Sequence, residues 1–465
     1  MAGDTSGGTH DVIVIGAGPT GENVADRAVR GGLTAVIVES ELVGGECSYW
    51  ACMPSKALLR PADVVAEAGR VRGVAGAALE PAEVLKRRDS FTHGWKDDSQ
   101  VAWVKGASID LVRGHARLAG ERTVAVSNAE TGDVTLRARQ AVVIATGTSA
   151  VVTPELAGVQ PWTSREATSA QAVPGRLAIV GGGVVGCEMA AAWSALGSRV
   201  TLISRGGLLD RLPGFAGELT AAGLRDGGVD VRLNASVTAA ARRDGTVALT
   251  LDDGTTVDAD EVLCAAGRAP RTSDLGLDTV GLKPGSWLDV DDTLRVNGAG
   301  GWLYAAGDVN HLALLTHMGK YQARVCGDAI AARAAGREPA VRDLASKNWV
   351  PQVVFTIPEV ASVGLTPDQA ADAKIRTRVV EYEIGNVAGA NLYADGYAGR
   401  AQMVVDEDRQ VIVGVTLAGH GTGEIIHAAT VAVVGEVPLN RLWHAVPSYP
   451  TISELWLRLL ETYGL

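Results

Sequence analysis

The segment DVIVIGAGPTG, residues 11–21, carries the clearest fold signal in this chain. An apolar strand runs into glycines at Gly16, Gly18 and Gly21, and a helix-forming stretch follows directly. Because glycines carry no side chain, the backbone there can approach a pyrophosphate, and the helix N-terminus adds N–H donors and a positive dipole. Glu39 ends the next apolar strand, where a carboxylate can accept hydrogen bonds from a ribose. These parts predict a βαβ dinucleotide-binding unit.

The segment LAIVGGGVVGCE, residues 177–188, repeats this pattern. Its glycines Gly181, Gly183 and Gly186 again follow an apolar strand and open an alanine-rich helix. The chain is therefore predicted to contain two dinucleotide-binding folds.

The second copy differs from the first at the position of the ribose-binding acid. Its next strand is followed by Ser204 and Arg205, and no carboxylate stands there. Arg205 and Arg211 suit the 2′-phosphate of NADP through charge-assisted hydrogen bonds, whereas a carboxylate would repel it. The alternative is that both arginines are ordinary solvated surface residues.

Apolar strands at 141–144 and 302–305 also end at glycine, and both are assigned to the first dinucleotide domain. Asp308 follows the later strand, where it can cap a helix, bind a flavin ribityl hydroxyl, or do both. Further candidate cofactor-binding residues are Thr146, Gly147, Gly267 and Gly307.

The predicted fold class is α/β, with two Rossmann-like domains, the second inserted in the first, and a C-terminal α+β domain. The predicted boundaries are 1–155 with 286–345 for the first domain, 156–285 for the second and 346–465 for the third. The third segment contains no phosphate-binding glycine fingerprint but mixes strand-like and helical runs.

Composition excludes several classes of protein. The 465 residues are 47% hydrophobic and 20% charged, which is typical of a multidomain globular protein. A net charge of -11 disfavours binding to nucleic acid or to an anionic membrane. No apolar stretch approaches the ~20 residues that span a bilayer, and residues 1–10 lack the features of a signal peptide. We therefore expect a cytoplasmic protein without a membrane or nucleic-acid partner.

Five cysteines are too few for a disulfide scaffold, so the closely spaced pair Cys47 and Cys52 is predicted to be catalytic or metal-binding. Pro54 is compatible with the first turn of a helix, and a helix N-terminus with the nearby Lys56 favours the reactive thiolate. A zinc site is disfavoured because no second cysteine pair or clustered histidine pair completes it, so no metal site is predicted. The other three cysteines read as small buried hydrophobes: Cys187, Cys264 and Cys326.

Together these residues resemble the flavoprotein disulfide reductases, the class I pyridine nucleotide-disulfide oxidoreductases that include glutathione reductase, dihydrolipoamide dehydrogenase and mercuric reductase. The resemblance rests on Gly44-Gly45, the cysteine pair separated by four residues, and Pro54-Ser55-Lys56, placed after the first dinucleotide unit. It implies FAD and a nicotinamide cofactor. It also implies that the chain enters a C-terminal interface domain near residues 355–366. This domain would form a homodimer whose active site is shared between the subunits.

The resemblance also implies roles for individual residues. Cys47 would be the interchange thiol that attacks the substrate, and Cys52 would be the flavin-proximal thiol. Lys56 would lie beside the flavin and pair with Glu188, and Asp308 would bind the flavin.

One position departs from the family pattern. Where the family usually has His-Pro-Thr, this chain reads Tyr449-Pro450-Thr451, while Glu454, which would orient the histidine, is retained. Tyrosine has an ordinary pKa of ~10 and is a poor base at neutral pH, so reduction of ordinary disulfides should be slow. His444 is the nearest alternative base, although a lone histidine there is more often structural.

The sequence thus predicts an enzyme that passes a hydride from NADPH, preferred over NADH, through FAD to a Cys47–Cys52 disulfide. A small disulfide or another electrophile would be the final acceptor. Three alternatives stay open: an NAD-dependent dihydrolipoamide dehydrogenase, a quinone reductase, and a flavin-bound redox sensor without sustained turnover.

Overall fold

The computed structural model describes residues 8–130 and 132–465. The part of the signal-peptide expectation that falls on residues 1–7 lies outside the described residues. The chain divides into two units, each formed by three separate segments. The first unit comprises the described residues of Met1–Met53, Asp89–Ser149 and Arg268–Lys347. The second comprises Pro54–Arg88, Ala150–Gly267 and Asn348–Leu465.

The described residues form strands with the following bounds: β1 Thr9–Ile15, β2 Ala35–Glu39, β3 Asp110–Arg113, β4 His115–Leu118, β5 Thr123–Ser127, β6 Val134–Ile144, β7 Thr148–Ala150, β8 Arg176–Val180, β9 Arg199–Ile203, β10 Asp230–Arg232, β11 Val237–Arg243, β12 Thr246–Leu251, β13 Thr256–Ala259, β14 Glu261–Cys264, β15 Arg268–Pro270, β16 Leu303–Ala305, β17 Gln352–Val354, β18 Glu359–Gly364, β19 Thr377–Glu383, β20 Arg400–Asp406 and β21 Val411–Gly419.

The α-helices have the following bounds: α1 Pro19–Arg30, α2 Gly45–Tyr49, α3 Cys52–Ala68, α4 Pro81–Phe91, α5 Asp98–Gly106, α6 Pro154–Ala157, α7 Ser164–Ser169, α8 Val184–Ala195, α9 Gly214–Asp226, α10 Thr316–Ala334, α11 Ala345–Asn348, α12 Pro367–Asp372, α13 Ala388–Tyr393, α14 Thr422–Val434, α15 Leu439–Leu442 and α16 Glu454–Tyr463. Short 3₁₀ helices cover Leu277–Val280, Asp308–Asn310 and Ile384–Asn386.

A seven-stranded sheet organises the first unit, in the order β3-β2-β1-β6-β5-β4 with β16 also paired to β6. β1 lies parallel to β2 and β6, and its residues from Val12 to Ile15 are almost fully buried. Strands covered on both faces read as continuous apolar runs, which is why β1 shows no alternation. Helices α1 and α10 pack together at Gly31 and Gly327, where a β-carbon would collide with the opposite helix.

The second unit contains the other fingerprint on a parallel sheet of order β10-β9-β8-β14, with a three-stranded antiparallel sheet β11-β12-β13. It also contains a five-stranded sheet of order β17-β18-β21-β20-β19, against which α14 and α16 pack. The antiparallel pairing and flanking helices match the predicted α+β segment.

The predicted fold class, two Rossmann-like domains followed by an α+β domain, is confirmed. The predicted domain limits near 155, 285 and 345 stay predictions, since the second Rossmann-like sheet and the C-terminal sheet belong to one unit. Among the described residues, no helix is both long and apolar enough to cross a membrane.

Candidate active site

The predicted site residues are distributed over both units. The first unit holds the first fingerprint, Glu39, the cysteine pair and Asp308. The second unit holds Lys56, Glu188, the second fingerprint and Tyr449. Each group is described within its own unit.

The first fingerprint forms a cradle with room above it. A β-carbon at Gly21 would lie 1.9 Å from the Gly16 carbonyl oxygen, so the start of α1 crosses directly over the end of β1. Gly16 has φ +104° and could not accept a β-carbon either, because the Ala145 carbonyl oxygen would lie 2.5 Å away. Gly18, the N-cap of α1, has no heavy atom within 4 Å of its would-be β-carbon. This open space at a helix N-terminus fits a dinucleotide pyrophosphate.

The second fingerprint repeats this geometry in the second unit. A β-carbon at Gly186 would lie 1.9 Å from the Gly181 carbonyl oxygen, and one at Gly181 would lie 2.3 Å from that of Ala265. Gly183 caps α8 and has nothing within 4 Å. Two cradles of the same construction are therefore present.

Glu39 is held at the edge of the first cradle. Its Oε2 accepts a hydrogen bond from the Ala17 backbone N–H at 2.7 Å, and its Oε1 accepts one from that of Glu41 at 2.7 Å. Burial raises the pKa of this carboxyl, and the two backbone hydrogen bonds oppose the rise. Both oxygens of the Glu39 carboxylate are thereby held by backbone N–H groups.

Asp308 is fixed by groups of its own unit. Its Oδ2 accepts a hydrogen bond from the Thr148 hydroxyl at 2.9 Å, and Arg268 donates to the Thr148 carbonyl at 2.9 Å. Burial raises the pKa of Asp308, while Thr148 and Arg268 hold it down. Gly307 has φ +82°, and its N–H donates to the Gln322 side chain at 2.7 Å.

Thr146 and Gly147 brace the segment that begins with Arg268. The Thr146 hydroxyl donates to the Arg271 carbonyl at 3.0 Å, and the Arg271 N–H donates to the Gly147 carbonyl at 3.1 Å. Gly267 lies in the other unit, where its carbonyl accepts the Val151 N–H at 3.0 Å. The cofactor-binding roles of these residues stay predictions.

The cysteine loop begins directly against the first cradle. Gly45 has φ +59°, and a β-carbon there would lie 2.8 Å from the Gly18 α-carbon. Cys47 follows in the short helix α2, and Cys52 is the first residue of α3. Glycine at position 45 therefore lets the cysteine segment start beside the open space at Gly18.

Both sulfurs are thiols in this structure. The hydrogen bond with Cys52 raises the pKa of Cys47, and burial and the ionised Cys52 raise it further. Because ionised Cys52 is among these causes, the pair accepts one negative charge well before it accepts a second. The Thr316 hydroxyl lies 3.2 Å from the Cys52 sulfur.

Lys56 and Glu188 meet in the second unit. Lys56 Nζ donates to Glu188 Oε2 at 2.7 Å, and the glutamate side chain is only 4% exposed. Glu188 Oε1 also accepts the Phe355 N–H at 3.1 Å, and the Lys56 ammonium lies 4.8 Å from the centre of the Phe355 ring. A buried carboxylate with both oxygens hydrogen-bonded orients the ammonium. The place of Lys56 beside a flavin stays a prediction.

The two arginines that follow β9 have exposed side chains. Ser204 is buried, and its hydroxyl donates to the Gly207 carbonyl at 2.8 Å. Arg205 and Arg211 are exposed and form no ion pair with any described residue. The loop also carries an exposed acid, Asp210.

Tyr449 and Glu454 have opposite surroundings. The tyrosine is 76% exposed, whereas Glu454 is buried and its Oε2 accepts the Gly389 N–H at 3.3 Å. A β-carbon at Gly389 would lie 2.0 Å from the Thr451 carbonyl carbon, so α13 packs tightly against this segment. A backbone N–H therefore holds the Glu454 carboxylate, whereas the Tyr449 side chain is exposed to solvent.

Sequence reasoning missed several residues near these groups: Thr148, Arg268, Thr316 and Lys320. Each is remote in sequence from the group it affects, and no local motif marked it. Among the described residues, no group of three or more histidine, cysteine or acidic side chains could hold a metal ion.

The comparisons with known proteins identify the class of the fold and the site. Residues 10–336 match the model of the pyridine nucleotide-disulphide oxidoreductases, and residues 350–459 match the dimerisation domain of the same proteins. The chain therefore belongs to this family, as its motifs predicted, and it is an oxidoreductase of the class that acts on sulfur groups. The family depends on FAD and a pyridine nucleotide, and the dimerisation domain supports a homodimer.

The chain is also similar to individual proteins of known name. The chain is 33% identical over 473 residues to dihydrolipoyl dehydrogenase 3 of Pseudomonas aeruginosa, covering 96% of both chains. It is 33% identical over 467 residues to dihydrolipoyl dehydrogenase of Chlorobaculum tepidum, covering 97% of this chain and 96% of the other. Its fold is similar to that of the Cu(II) complex of the HOCl-induced flavoprotein disulfide reductase RclA from Escherichia coli, with TM-score 0.84 and 23% identity over 97% of this chain and 99% of that one.

Two glycines of the first fingerprint, Gly21 and Gly18, should respond differently to an added methyl group. Gly21→Ala should lower the free energy of unfolding by roughly 3 kcal/mol, because the added carbon meets a carbonyl oxygen. Gly18→Ala should fold normally but lose FAD, because its methyl occupies only the open space of the cradle. Thermal unfolding by circular dichroism and the ratio of flavin to protein absorbance measure the two effects. A Gly18→Ala protein that retains full FAD would contradict this assignment of the cradle.

Proposed function

We propose that this protein is an NADPH-dependent FAD oxidoreductase that reduces its own Cys47–Cys52 disulfide and passes the electrons to a small disulfide or another electrophile. The observation that carries the proposal is the placement of both sulfurs beside Thr316, in the unit that also holds the first cradle. Family membership supplies the cofactor class.

The electron balance matches this pair of thiols. A hydride equivalent delivered to the disulfide breaks the S–S bond and leaves one thiol and one thiolate. Burial and the neighbouring Cys52 raise the pKa of Cys47, so the reduced pair carries one proton and one negative charge. We assign the charge to Cys52, in the flavin-proximal role that the resemblance implies. FAD, when bound, supplies the two-electron link between nicotinamide and disulfide.

The residues of the first cradle fit FAD. The open space at Gly18 would take the pyrophosphate and Glu39 would take the adenosine ribose. Asp308 would accept a ribityl hydroxyl, because Thr148 occupies only one of its oxygens. In the second unit, Glu188 holds the ammonium of Lys56, the lysine to which the resemblance gives a role beside the flavin.

We also propose that the active site is shared between the subunits of a homodimer. Tyr449 is exposed at the position where the family's histidine reaches a partner subunit, and Val446 nearby is 83% exposed. Glu454 is engaged with the backbone of Gly389 rather than with an imidazole. The acceptor must therefore be one whose reduction does not need an imidazole base, and quinone-like electrophiles meet this condition.

A second candidate is an NAD-linked dihydrolipoamide dehydrogenase, favoured by the names of the curated relatives. Ser204 and Tyr449 count against it, because the first offers no ribose-binding acid and the second is a poor base at neutral pH.

The proposal is tested by anaerobic titration of the purified protein with NADPH and, separately, NADH while the visible spectrum is recorded. We expect a long-wavelength absorption band to develop at lower NADPH than NADH concentration. Cys52→Ser should lack this band and Cys47→Ser should retain one, because only Cys52 is assigned the charge. Flavin bleaching without a band in the wild-type protein would mean that the cysteines are not part of the electron path.

Coenzyme preference should depend on the loop after β9. Arg205→Ala should raise KM for NADPH about tenfold and leave KM for NADH unchanged, because only NADPH has the 2′-phosphate that a guanidinium would bind. Steady-state kinetics with both coenzymes measure this, and Arg243→Ala, an exposed arginine of β11, is the matched control. Equal changes for both coenzymes would exclude a 2′-phosphate contact.

Restoring the missing base should restore disulfide chemistry. Tyr449→His is expected to raise kcat for a small disulfide or dihydrolipoamide by roughly 100-fold, because positioned acid–base catalysis contributes effects of this size. The exposed position should accept the change without loss of stability. Tyr449→Phe controls for the phenol hydroxyl. No gain in the histidine variant would mean that other features of the site exclude disulfides.

A further inference from the structure

Arg271 links the cysteine segment to the end of strand β6, within the first unit. One nitrogen of its guanidinium donates to Glu46 Oε1 at 2.7 Å, and another lies 3.7 Å from Glu41 Oε2. Glu46 is the residue directly before Cys47 in the short helix α2. A charged contact therefore reaches the immediate neighbour of Cys47 from 225 positions away in the sequence.

The backbone of Arg271 is itself held in place. Its carbonyl accepts the Thr146 hydroxyl at 3.0 Å, and its N–H donates to the Gly147 carbonyl at 3.1 Å. The side chains of Arg271 and Glu46 are 34% and 23% exposed, so water and salt screen this ion pair less than a fully exposed one. An arginine fixed at its backbone restrains the glutamate instead of moving with it.

We propose that Arg271 is a positioning residue that, through Glu46, keeps Cys47 within reach of Cys52 after their disulfide opens. This rests on the proposed function, because it concerns the reduced state of that pair. Reduction adds two electrons, breaks the S–S bond and leaves two sulfurs that only the polypeptide holds together. The disulfide forms again more readily when Cys47 has gained less freedom, since a restrained partner has a higher effective concentration.

Uncharged hydrogen bonds hold the two ends of the same segment. The Gly44 N–H donates to the Ala17 carbonyl at 2.7 Å, and the Trp95 indole N–H donates to the Tyr49 carbonyl at 3.1 Å. The ion pair acts between these two anchors, next to Cys47. Its loss should therefore loosen the cysteine without unfolding the segment.

The test measures the equilibrium between the Cys47–Cys52 pair and dithiothreitol in the holoenzyme. Dithiothreitol closes to its cyclic disulfide while the protein disulfide takes up two electrons and two protons, one of which returns to solvent where a thiolate forms. No nicotinamide is needed, and the free thiols are trapped by rapid alkylation and quantified by mass spectrometry. Arg271→Gln should shift the equilibrium constant roughly 3- to 10-fold toward the dithiol, because a loosened Cys47 meets Cys52 less often.

Matched variants separate this role from a general effect on stability. Glu46→Gln should shift the equilibrium as much as Arg271→Gln, and the double variant should shift it no further, because both changes remove one contact. Arg271→Lys keeps a cation and should restore most of the wild-type value. Glu41→Gln removes the other carboxylate near Arg271, outside α2, and should change nothing. Unchanged equilibria in both single glutamine variants at 46 and 271, or additive shifts in the double variant, would overturn the proposal.

The NADPH titration distinguishes a failure of this proposal from a failure of the proposed function. If NADPH produces no long-wavelength band in the wild type but the dithiothreitol equilibrium shifts as expected, the proposed function fails while the role of Arg271 stands. If the band forms but neither Arg271→Gln nor Glu46→Gln shifts the equilibrium, the role of Arg271 alone fails.

Discussion

The close approach of Gly21 to the Gly16 carbonyl oxygen is the contact on which the rest of the first unit depends. With only 1.9 Å available to a would-be β-carbon, α1 can cross the end of β1 only because position 21 is glycine. That crossing directs the helix N-terminus at the open space above Gly18. It also leaves room for Gly45, so the cysteine segment begins against the same cradle. The open space at Gly18 and the cysteine segment are thus positioned by one backbone contact.

The packing of α1 against α10 determines which residues of α10 lie beside the two sulfurs. Gly31 and Gly327 let the two helices approach closely, and Gly319 makes room for the Thr20 side chain, where a β-carbon would lie 2.3 Å from its hydroxyl. α10 therefore begins beside the cysteine pair, with Thr316 at the sulfurs. A helix remote in sequence thus places a hydroxyl 3.2 Å from the Cys52 sulfur.

The second unit combines a familiar framework with an altered acid–base position. Its fingerprint repeats the geometry of the first almost contact for contact, and Lys56 is held by a buried glutamate. At the C-terminus, however, Glu454 is bonded to a backbone N–H and Tyr449 points outward. The residues that resemble the family's nucleotide-binding and lysine-positioning parts are thus present together with a tyrosine at the position of the family's histidine.

Sequence patterns were sufficient to predict the two glycine fingerprints, the cysteine pair, the α+β C-terminal segment and the substitution at Tyr449. All of these are local patterns, because strand–turn–helix geometry and helix starts are encoded within a few neighbouring residues. The contact between Thr316 and Cys52 spans 264 positions, and that between Thr148 and Asp308 spans 160. Neither has a sequence signal, since threonine is common and its partner is chosen by packing. Tertiary structure alone decided which hydroxyls and charges surround the sulfurs and carboxylates, because hydrogen bonding and burial depend on neighbours in space.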